Sequence, residues 1–334
     1  MIANSIDEPL PRGYSVIIPV YNSQDSLPEL LELLVGEMRG HGLPFEILMV
    51  DDASADDSWA CIQELASTYP EVRGSTMSRN FGQHSAILAA LRTARYDVSI
   101  TMDDDLQHLP SEIWKMDAAL IPGVDVVYGR AVEEEHGVWR NLSSRAVKGS
   151  LGAAVGTDMA SKASAFRLFR TAIRGAFADT VDPYVSIDVL LSWSTTRIAA
   201  VDVHMDKRRY GTSNYTLRRL GRHAVNMLTG FSVLPLRIVT ITGFGFALFG
   251  IFVLGFVLVS YAINGGSLPG FPFLASLVAI FSGAQLFALG VLGEYLGRMH
   301  FRSMQRPPYV VRASTPERAQ APPTGESAGG DGLV

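Results

Sequence analysis

The feature that most constrains the fold is a stretch without any Asp, Glu, Lys or Arg, which runs from Ile238 to Gly293. It holds two apolar segments, predicted as helices over about 238–263 and 271–296, with a break at NGGSLPG between them. About 20 apolar residues in a helix span the roughly 30 Å hydrocarbon core of a bilayer. The sequence therefore predicts a two-helix transmembrane hairpin, and a pair of buried core helices is the alternative.

Basic residues flank the two predicted spans, whereas the loop between them carries no charge. The positive-inside rule then predicts a multi-pass protein of the cell (inner) membrane, with both termini and the remainder of the chain in the cytoplasm. The arginines before the first span are Arg218, Arg219, Arg222 and Arg237, and those after the second are Arg298, Arg302, Arg306 and Arg312.

The bulk composition narrows the class of protein further. A formal net charge of −5 gives no reason to expect a nucleic-acid partner. Cys61 is the single cysteine, so an intrachain disulfide is excluded and a reducing compartment is favoured. The first 15 residues contain acids and prolines and lack the apolar centre of a signal peptide.

The first two hundred residues alternate apolar, β-rich runs with amphipathic segments. This alternation predicts an α/β fold with a mainly parallel sheet and helices on both faces, in which ligands bind at the carboxyl ends of the strands. The predicted strands are YSVIIPV, FEILMVDD, VRGSTMS, DVSITMDD and VDVVYGR, and the predicted helices are LPELLELLVGEMR, DDSWACIQELASTY, HSAILAALRTA and PSEIWKMDAAL.

Polar clusters follow four of these strands: PVYNS, DDAS, SRN and DDD. In the last cluster, Asp103, Asp104 and Asp105 repel one another unless a cation offsets their charge. Mg²⁺ or Mn²⁺ is the natural partner, since both prefer oxygen ligands completed by substrate phosphate. If the chain is extended here, Asp103 and Asp105 point to the same side, with Gln107 as a further oxygen. The alternative is an acidic surface turn or a helix cap.

The other strand ends suit a nucleotide. Asp51 and Asp52 offer acceptors to a base or ribose, Tyr21 can stack on a base, and Arg79 with Asn80 can reach a phosphate at the start of the next helix. Each is weak alone, but together they predict a site for a nucleotide diphosphate with its metal. No G-x-G-x-x-G follows the first strand, which argues against a dinucleotide-dependent dehydrogenase.

The blocks VIIPVYN, VDDAS, NFGQHSAI and DDDLQHLP, in this order, resemble those of family 2 glycosyltransferases with the GT-A fold. DLQHLP followed by YGR, RNLSSRAVKGSL, FRLFR and RRYGTSNY, ahead of two membrane helices, is similar to polyprenyl-phosphate glycosyltransferases. That group includes dolichyl-phosphate mannose synthases and bacterial undecaprenyl-phosphate sugar transferases. The resemblance covers roughly residues 14–312.

The resemblance implies transfer of a sugar from a UDP- or GDP-sugar to the phosphate of a membrane polyprenyl phosphate, with a metal ion and with inversion at the anomeric carbon. It implies a Rossmann-like GT-A fold. Asp188 lies roughly where related enzymes keep a catalytic base, and a positioning role is expected for it. The implied nucleotide contacts are Pro19, Tyr21, Asn22, Asp51, Asp52, Arg79, Asn80 and Asp104; the metal and diphosphate contacts are Asp103, Asp105 and Gln107; the acceptor-phosphate contacts are Arg130, Arg140, Ser143 and Ser144; and Arg208 and Ser213 lie on a segment that closes over the donor.

Three positions depart from the family pattern. Ser23 stands where the family usually has Glu, which weakens the ribose contact. The middle residue of the DxD motif is Asp104 rather than Ala, and its side chain is expected to point away from the metal. The family's Gly-Phe-Arg block is Ala165-Phe166-Arg167 in this chain.

These observations predict five segments and leave two other functions open. A processive polysaccharide synthase is disfavoured because neither its Gln-x-x-Arg-Trp motif nor further spans are found, and a non-catalytic nucleotide-sugar-binding membrane protein is disfavoured by the acidic trio. Gly293 and Gly297 suggest a homo-oligomer. The segments are an N-terminal extension (1–13), a catalytic domain (14–208), interfacial amphipathic helices (209–236), the hairpin (237–300) and a cytoplasmic tail with a disordered end (301–334).

Overall fold

The computed structural model describes residues 10–131, 162–178, 185–206, 234–264 and 270–316. A 3₁₀ helix covers Thr171–Phe177. The strands are β1 (Tyr14–Val20), β2 (Phe45–Asp51), β3 (Val72–Met77), β4 (Val98–Thr101), β5 (Val126–Ala131), β6 (Arg167–Arg170), β7 (Ile198–Val203) and β8 (Val311–Ser314), and the helices are α1 (Leu27–Gly40), α2 (Ser58–Thr68), α3 (Gln83–Thr93), α4 (Glu112–Asp117), α5 (Ile187–Ser194), α6 (Leu234–Asn264) and α7 (Phe271–Ser303).

The strands form one eight-stranded sheet in the order β7-β5-β6-β4-β1-β2-β3-β8. Strands β4, β1, β2 and β3 are parallel, and β6 runs antiparallel to both β4 and β5. β5 and its parallel neighbour β7 therefore point in the same direction as β4. The carboxyl ends of six strands consequently lie at one edge of the sheet. The predicted α/β fold with a mainly parallel sheet is confirmed.

The sheet separates two hydrophobic cores because successive side chains of a strand point to opposite faces. In β1, Val16 and Ile18 belong to the core that contains α1, whereas Ile17 belongs to the core that contains α3. Every residue of β1 and β2 is buried. This two-sided burial explains why both strands are nearly continuous apolar runs rather than alternating ones.

Strand β8 joins the sheet after the two long apolar helices, antiparallel to β3. The Ser78 N–H donates to the Val310 carbonyl at 2.9 Å, and the Thr315 N–H donates to the Gly74 carbonyl at 2.9 Å. A Cβ on Gly74 would lie 2.3 Å from Cγ2 of Ile62, so only glycine lets β3 approach α2 this closely. The sequence places this segment in a separate tail that begins at residue 301, and the strand was not expected.

Helices α6 and α7 each contain an 18-residue window apolar enough to cross a membrane, Leu236–Val253 and Ile280–Gly297, with mean hydropathies of 2.0 and 1.2. None of either window is buried, which contradicts the alternative of core helices. The two helices touch where the rings of Phe246 and Phe281 meet at 5.8 Å between centroids. Most of the predicted interfacial segment lies outside the described residues.

Candidate active site

The loops after β1, β2 and β4 meet at the carboxyl edge of the sheet, and each has one non-glycine residue with a positive φ. These are Asn22 (54°), Ala53 (56°) and Leu106 (60°). Such a backbone conformation costs on the order of 1–3 kcal/mol per residue and persists only where surrounding contacts hold it. The strained positions thus coincide with the strand ends at which the sequence predicts a ligand.

The three carboxylates Asp103, Asp104 and Asp105 form a turn, called here the acidic turn, and not a strand. The expectation of an extended chain is wrong because β4 already ends at Thr101. The middle carboxylate faces the β1 loop: Asp104 Oδ2 accepts hydrogen bonds from Ser23 Oγ at 2.5 Å and from the Tyr21 N–H at 3.2 Å. Ser23, at the family's usual Glu position, therefore serves to hold the acidic turn.

Burial of Asp104 raises the pKa of its carboxyl group to about 6. The hydrogen bonds from Ser23 and Tyr21 lower this pKa in part, and the neighbouring carboxylates of Asp103 and Asp105 add a smaller increase. At neutral pH the ionised form still prevails, and the turn then carries three negative charges in a poorly solvated place. A bound cation would relieve this repulsion.

The outer members of the turn are held by different partners. Gln83 Nε2 donates to Asp103 Oδ1 at 2.5 Å, and the Asp103 N–H donates to Nδ1 of His108 at 3.1 Å. The Gln107 N–H donates to Asp105 Oδ1 at 3.1 Å. Gln107 Nε2 donates to the Asp206 carbonyl at 3.3 Å, which turns the amide donor away from the acidic side chains. Asp206, the last described residue of this segment, thus lies beside the turn.

The oxygen donors of the acidic turn suit Mg²⁺ or Mn²⁺ in one specific way. Among the described residues there is no group of three or more His, Cys, Asp or Glu side chains arranged to hold a metal ion. The carboxylates of Asp103 and Asp105 offer hard oxygen donors, and Mg²⁺ is commonly bound by one or two carboxylates together with substrate phosphates. The donor set therefore fits a divalent ion that is shared with a diphosphate rather than a metal held by the protein alone.

Asp51 and Asp52 are buried, and both bind groups of their own chain. Asp51 accepts from Thr76 Oγ1 at 2.6 Å and from the Ser54 N–H at 3.0 Å. Asp52 accepts from two backbone N–H groups, of Phe81 and Gly82, each at 2.7 Å, and burial raises the pKa of Asp52. These bonds fix the loops around the site. Direct contact of either carboxylate with a nucleotide stays a prediction.

The remaining residues predicted to bind the nucleotide differ in exposure. Tyr21 is 46% exposed, so its ring is available for stacking. Asn22 braces the loop after β2, since its N–H donates to Ser54 Oγ and its Oδ1 accepts from the Ala55 N–H. Pro19 is buried within β1. Arg79 and Asn80 are exposed beyond the end of β3, and the Arg79 guanidinium lies 4.3 Å from the centre of the Phe81 ring.

Arg130 lies in β5 close to its carboxyl end, at the same edge of the sheet as the acidic turn. It forms an ion pair with Asp202, with Nη2 2.6 Å from Oδ1. Both side chains are more than half exposed, and exposed ion pairs contribute only about 0–1 kcal/mol. An incoming phosphate could therefore compete for this guanidinium. The other predicted acceptor and donor contacts, Arg140, Ser143, Ser144, Arg208 and Ser213, lie outside the described residues.

Asp188 is buried in a bidentate ion pair with Arg167, a residue that the sequence analysis did not assign to the site. Arg167 Nε and Nη2 donate to the two carboxylate oxygens at 2.8 and 2.9 Å, and the Tyr128 hydroxyl donates to Oδ1 at 3.0 Å. Burial opposes ionisation of Asp188, but the charge of Arg167 and the hydrogen bonds from Arg167 and Tyr128, together with the nearby His84, outweigh it, so the pKa of Asp188 is lowered. A carboxylate with a lowered pKa is a weak base, so the geometry favours positioning. An arginine inside the apolar run FRLFR was the available signal.

Comparisons with known proteins agree with this geometry. The family model described as glycosyl transferase family 2 matches residues 15–173. An undecaprenyl-phosphate 4-deoxy-4-formamido-L-arabinose transferase of Pectobacterium carotovorum is 34% identical over 314 residues, which cover 91% of this chain and 95% of the relative. A transferase of the same name from Proteus mirabilis is 32% identical over 302 residues, covering 89% and 92%.

A solved structure also shares the fold. Glucosyl-3-phosphoglycerate synthase of Mycobacterium tuberculosis, crystallised with Mn²⁺, UDP-glucose and phosphoglyceric acid, has a TM-score of 0.50 and 17% identity, and the match covers 65% of this chain and 78% of that one. At this identity the likeness concerns the fold alone. The match to the family model and the two nearly full-length relatives show that this chain is a glycosyltransferase and belongs to glycosyl transferase family 2.

Proposed function

We propose that this protein transfers a sugar from a nucleotide-diphosphate donor to the phosphate of a membrane polyprenyl phosphate, with inversion and with Mg²⁺ or Mn²⁺ as cofactor. The observation that carries the proposal is the nearly full-length similarity to relatives named as undecaprenyl-phosphate transferases, which includes the apolar C-terminal part of the chain. The donor sugar and the choice between UDP and GDP are left to experiment.

The acidic turn supports the donor half of the proposal. Asp103 and Asp105 would hold the divalent ion, which when bound neutralises negative charge on the departing diphosphate. The fold neighbour crystallised with Mn²⁺ and UDP-glucose is in keeping with such a donor site. Tyr21, exposed at the end of β1, would stack on the base, and Arg79 and Asn80 would approach the phosphates from the end of β3.

The acceptor half requires cations rather than a general base. A phosphate monoester has a second pKa near 6 and is largely ionised at neutral pH, so it is already nucleophilic. Arg130 can bind two phosphate oxygens at once and lies at the same sheet edge as the acidic turn. Arg140, Ser143 and Ser144 would complete the acceptor-phosphate site. This division of roles is consistent with an Asp188 that is committed to Arg167.

The return of the chain to the sheet supports a reaction in the headgroup region. Because β8 is antiparallel to β3, its first residue Val311 lies opposite Met77, at the same edge as the candidate site. Seven residues lie between Ser303, where α7 ends, and Val311, so these two residues are at most ~29 Å apart. The end of a membrane-length helix is thus tied close to the edge at which the donor would bind, while the isoprenoid stays in the bilayer.

The direct test incubates the membrane-bound protein with a panel of radiolabelled UDP- and GDP-sugars and short polyprenyl phosphate. We expect label from one donor to move into the organic phase, and only in the presence of Mg²⁺ or Mn²⁺. Absence of transfer from every donor would overturn the proposal. Label released as free sugar in water would instead indicate a hydrolase.

A further inference from the structure

Arg167 is a buried cation directly behind the acidic turn. It opens strand β6 and pairs in antiparallel register with Thr101, the last residue of β4, two positions before Asp103. Its side chain is 4% exposed. Nη1 donates to Thr101 Oγ1 at 3.3 Å and to the Ala165 carbonyl at 3.1 Å. The same guanidinium is therefore hydrogen-bonded to the last residue of the strand that precedes the acidic turn.

The nitrogen atoms of the Arg167 guanidinium have partners on two different sides. Nε and Nη2 face Asp188, and the Tyr128 hydroxyl donates to the same carboxylate, so this side is fixed by three hydrogen bonds. Nη1 lies at the far corner of the planar group, toward Thr101. The buried pair is therefore an oriented dipole whose positive end faces the base of the acidic turn. Such an oriented, water-excluded charge acts on its neighbours with little screening.

Two further contacts connect Arg167 with the turn. The carboxylate of Asp103 is one of the groups that favour the charged form of Arg167. The preceding residue, Phe166, stacks on the ring of His108 with 4.9 Å between centroids, and His108 Nδ1 accepts a hydrogen bond from the Asp103 N–H. The backbone pairing and the charge of Arg167 and the ring of Phe166 thus link the start of β6 to Asp103, the first carboxylate of the turn.

We propose that Arg167, oriented by Asp188 and Tyr128, is a positioning residue that presents Asp103 and Asp105 to the divalent ion of the donor. It does so by fixing the end of β4 and by supplying the internal positive charge that the acidic turn needs in the absence of an ion. This inference rests on the proposed function, since it assumes that the acidic turn binds a metal together with a diphosphate.

The alternative role is purely structural, and a paired substitution separates the two. Replacing a buried ion pair by apolar residues of similar volume is often neutral for stability, whereas removing one partner leaves a buried charge unpaired. The Arg167→Met/Asp188→Leu variant, with Tyr128→Phe to remove the hydroxyl that loses its acceptor, should therefore fold. Arg167→Lys keeps the charge and gives up the bidentate geometry.

The readouts are the Tm and Mn²⁺ binding followed by electron paramagnetic resonance, in the presence of UDP or GDP, whichever the unmodified protein binds. We expect the triple variant to keep its Tm within a few degrees but to bind Mn²⁺ roughly 10- to 100-fold more weakly, the range typical for losing groups that orient metal ligands. Arg167→Lys should recover part of this loss. In steady-state assays the donor KM should rise more than kcat falls.

The matched control is the Arg197–Asp125 pair, which is also bidentate, at 2.9 and 3.0 Å, and lies at the start of β5, away from the acidic turn. Arg197→Met/Asp125→Leu should leave Mn²⁺ binding unchanged. A folded triple variant that binds Mn²⁺ with unchanged affinity would overturn the proposal. A wild-type protein that binds no Mn²⁺ would also overturn it. If the triple variant does not fold, unchanged Mn²⁺ affinity of a folded Arg167→Lys would overturn it equally. Failure of sugar transfer alone would contradict the proposed function without changing these binding results.

Discussion

Asp104 is the residue in which burial and charge conflict most clearly. Its folded-state pKa of about 6 lies above the usual value of 3.8, so the ionised form destabilises the fold above pH 6, and this cost disappears as the pH falls below about 4. In metal-free protein, Asp104→Asn should therefore be more stable than wild type at pH 8, by roughly 1–3 kcal/mol. An asparagine Oδ1 can still accept from Ser23 and Tyr21.

Thermal unfolding in detergent with a chelator, at pH 8 and at pH 4.5, measures this difference. The stabilisation should be present at pH 8 and shrink at pH 4.5, and saturating Mn²⁺ should reduce it at pH 8 because the ion favours the ionised carboxylate. Equal Tm differences at both pH values would show that the charge of Asp104 is not responsible.

Asp105 carries the residue-scale prediction about chemistry. Asp105→Ala removes one of two carboxylates proposed to hold the ion at the diphosphate, and transfer should fall at least ~100-fold, the usual loss when one group that stabilises developing negative charge is deleted. Glu32→Ala, on the exposed face of α1, is the control and should keep wild-type activity. An Asp105→Ala enzyme with full transfer would remove the acidic turn from the mechanism.

At this scale, the sequence predicts which residue types gather at the site but not how they are held. The acidic trio is visible because three adjacent carboxylates need a cation. The Asp104–Ser23 contact joins residues 81 positions apart, and the Arg167–Asp188 pair joins a strand to a helix across a long connection. Such contacts depend on the register of the strands, and strands that are buried on both faces lack the apolar–polar alternation that would specify it.

Among the elements, β1 to β5 and α1 to α4 are predicted because each lies in a β-rich run or in a segment with helical spacing of apolar residues. Strands β6 and β8 are not predicted because two of the four residues of β6 are arginines and β8 contains Arg312 beside small residues, which makes them resemble loops. Strand β7 is not predicted either: its alternation of Ala, Val and Asp is weak, it is exposed at Asp202 and it is fully buried at Val203 alone. These three strands owe their conformation to the neighbours with which they pair rather than to their own composition.

Strand β8 gives the element-scale prediction. A chain that ends at Arg306 lacks β8 and leaves β3 as an exposed edge, whereas a chain that ends at Glu317 keeps the strand. Four hydrogen bonds join Val310 and Thr315 of this segment to Gly74 and Ser78, so the shorter chain should lose about 4 kcal/mol at about 1 kcal/mol per bond. It should also aggregate more readily, because an unpaired edge strand invites pairing with other chains.

Thermal unfolding and size-exclusion chromatography of both truncations in detergent test this. The chain that ends at Glu317 should match the full-length protein, and the chain that ends at Arg306 should melt several degrees lower and elute partly as aggregate. Identical melting of the two would mean that β8 does not stabilise the sheet.

For the whole molecule, the pairing of β8 with β3 makes a topological prediction. Strands on both sides of the two apolar helices belong to one sheet, so the chain must cross a membrane an even number of times between them. In a Cys61→Ala background, a cysteine at Ser267, between the two helices, should react with an impermeant thiol reagent added to intact cells, and a cysteine at Ser314 should not. Labelling of both from the same side would contradict the hairpin.

In the proposed reaction, the sugar is joined to a lipid phosphate at the acidic turn. The measurement that tests it most directly compares wild type and Asp105→Ala on the same labelled donor, with undecaprenyl phosphate or with undecaprenol as acceptor. We expect organic-phase label only for wild type with the phosphorylated lipid and a divalent ion. Equal transfer to undecaprenol, or transfer that survives both chelation and Asp105→Ala, would contradict it.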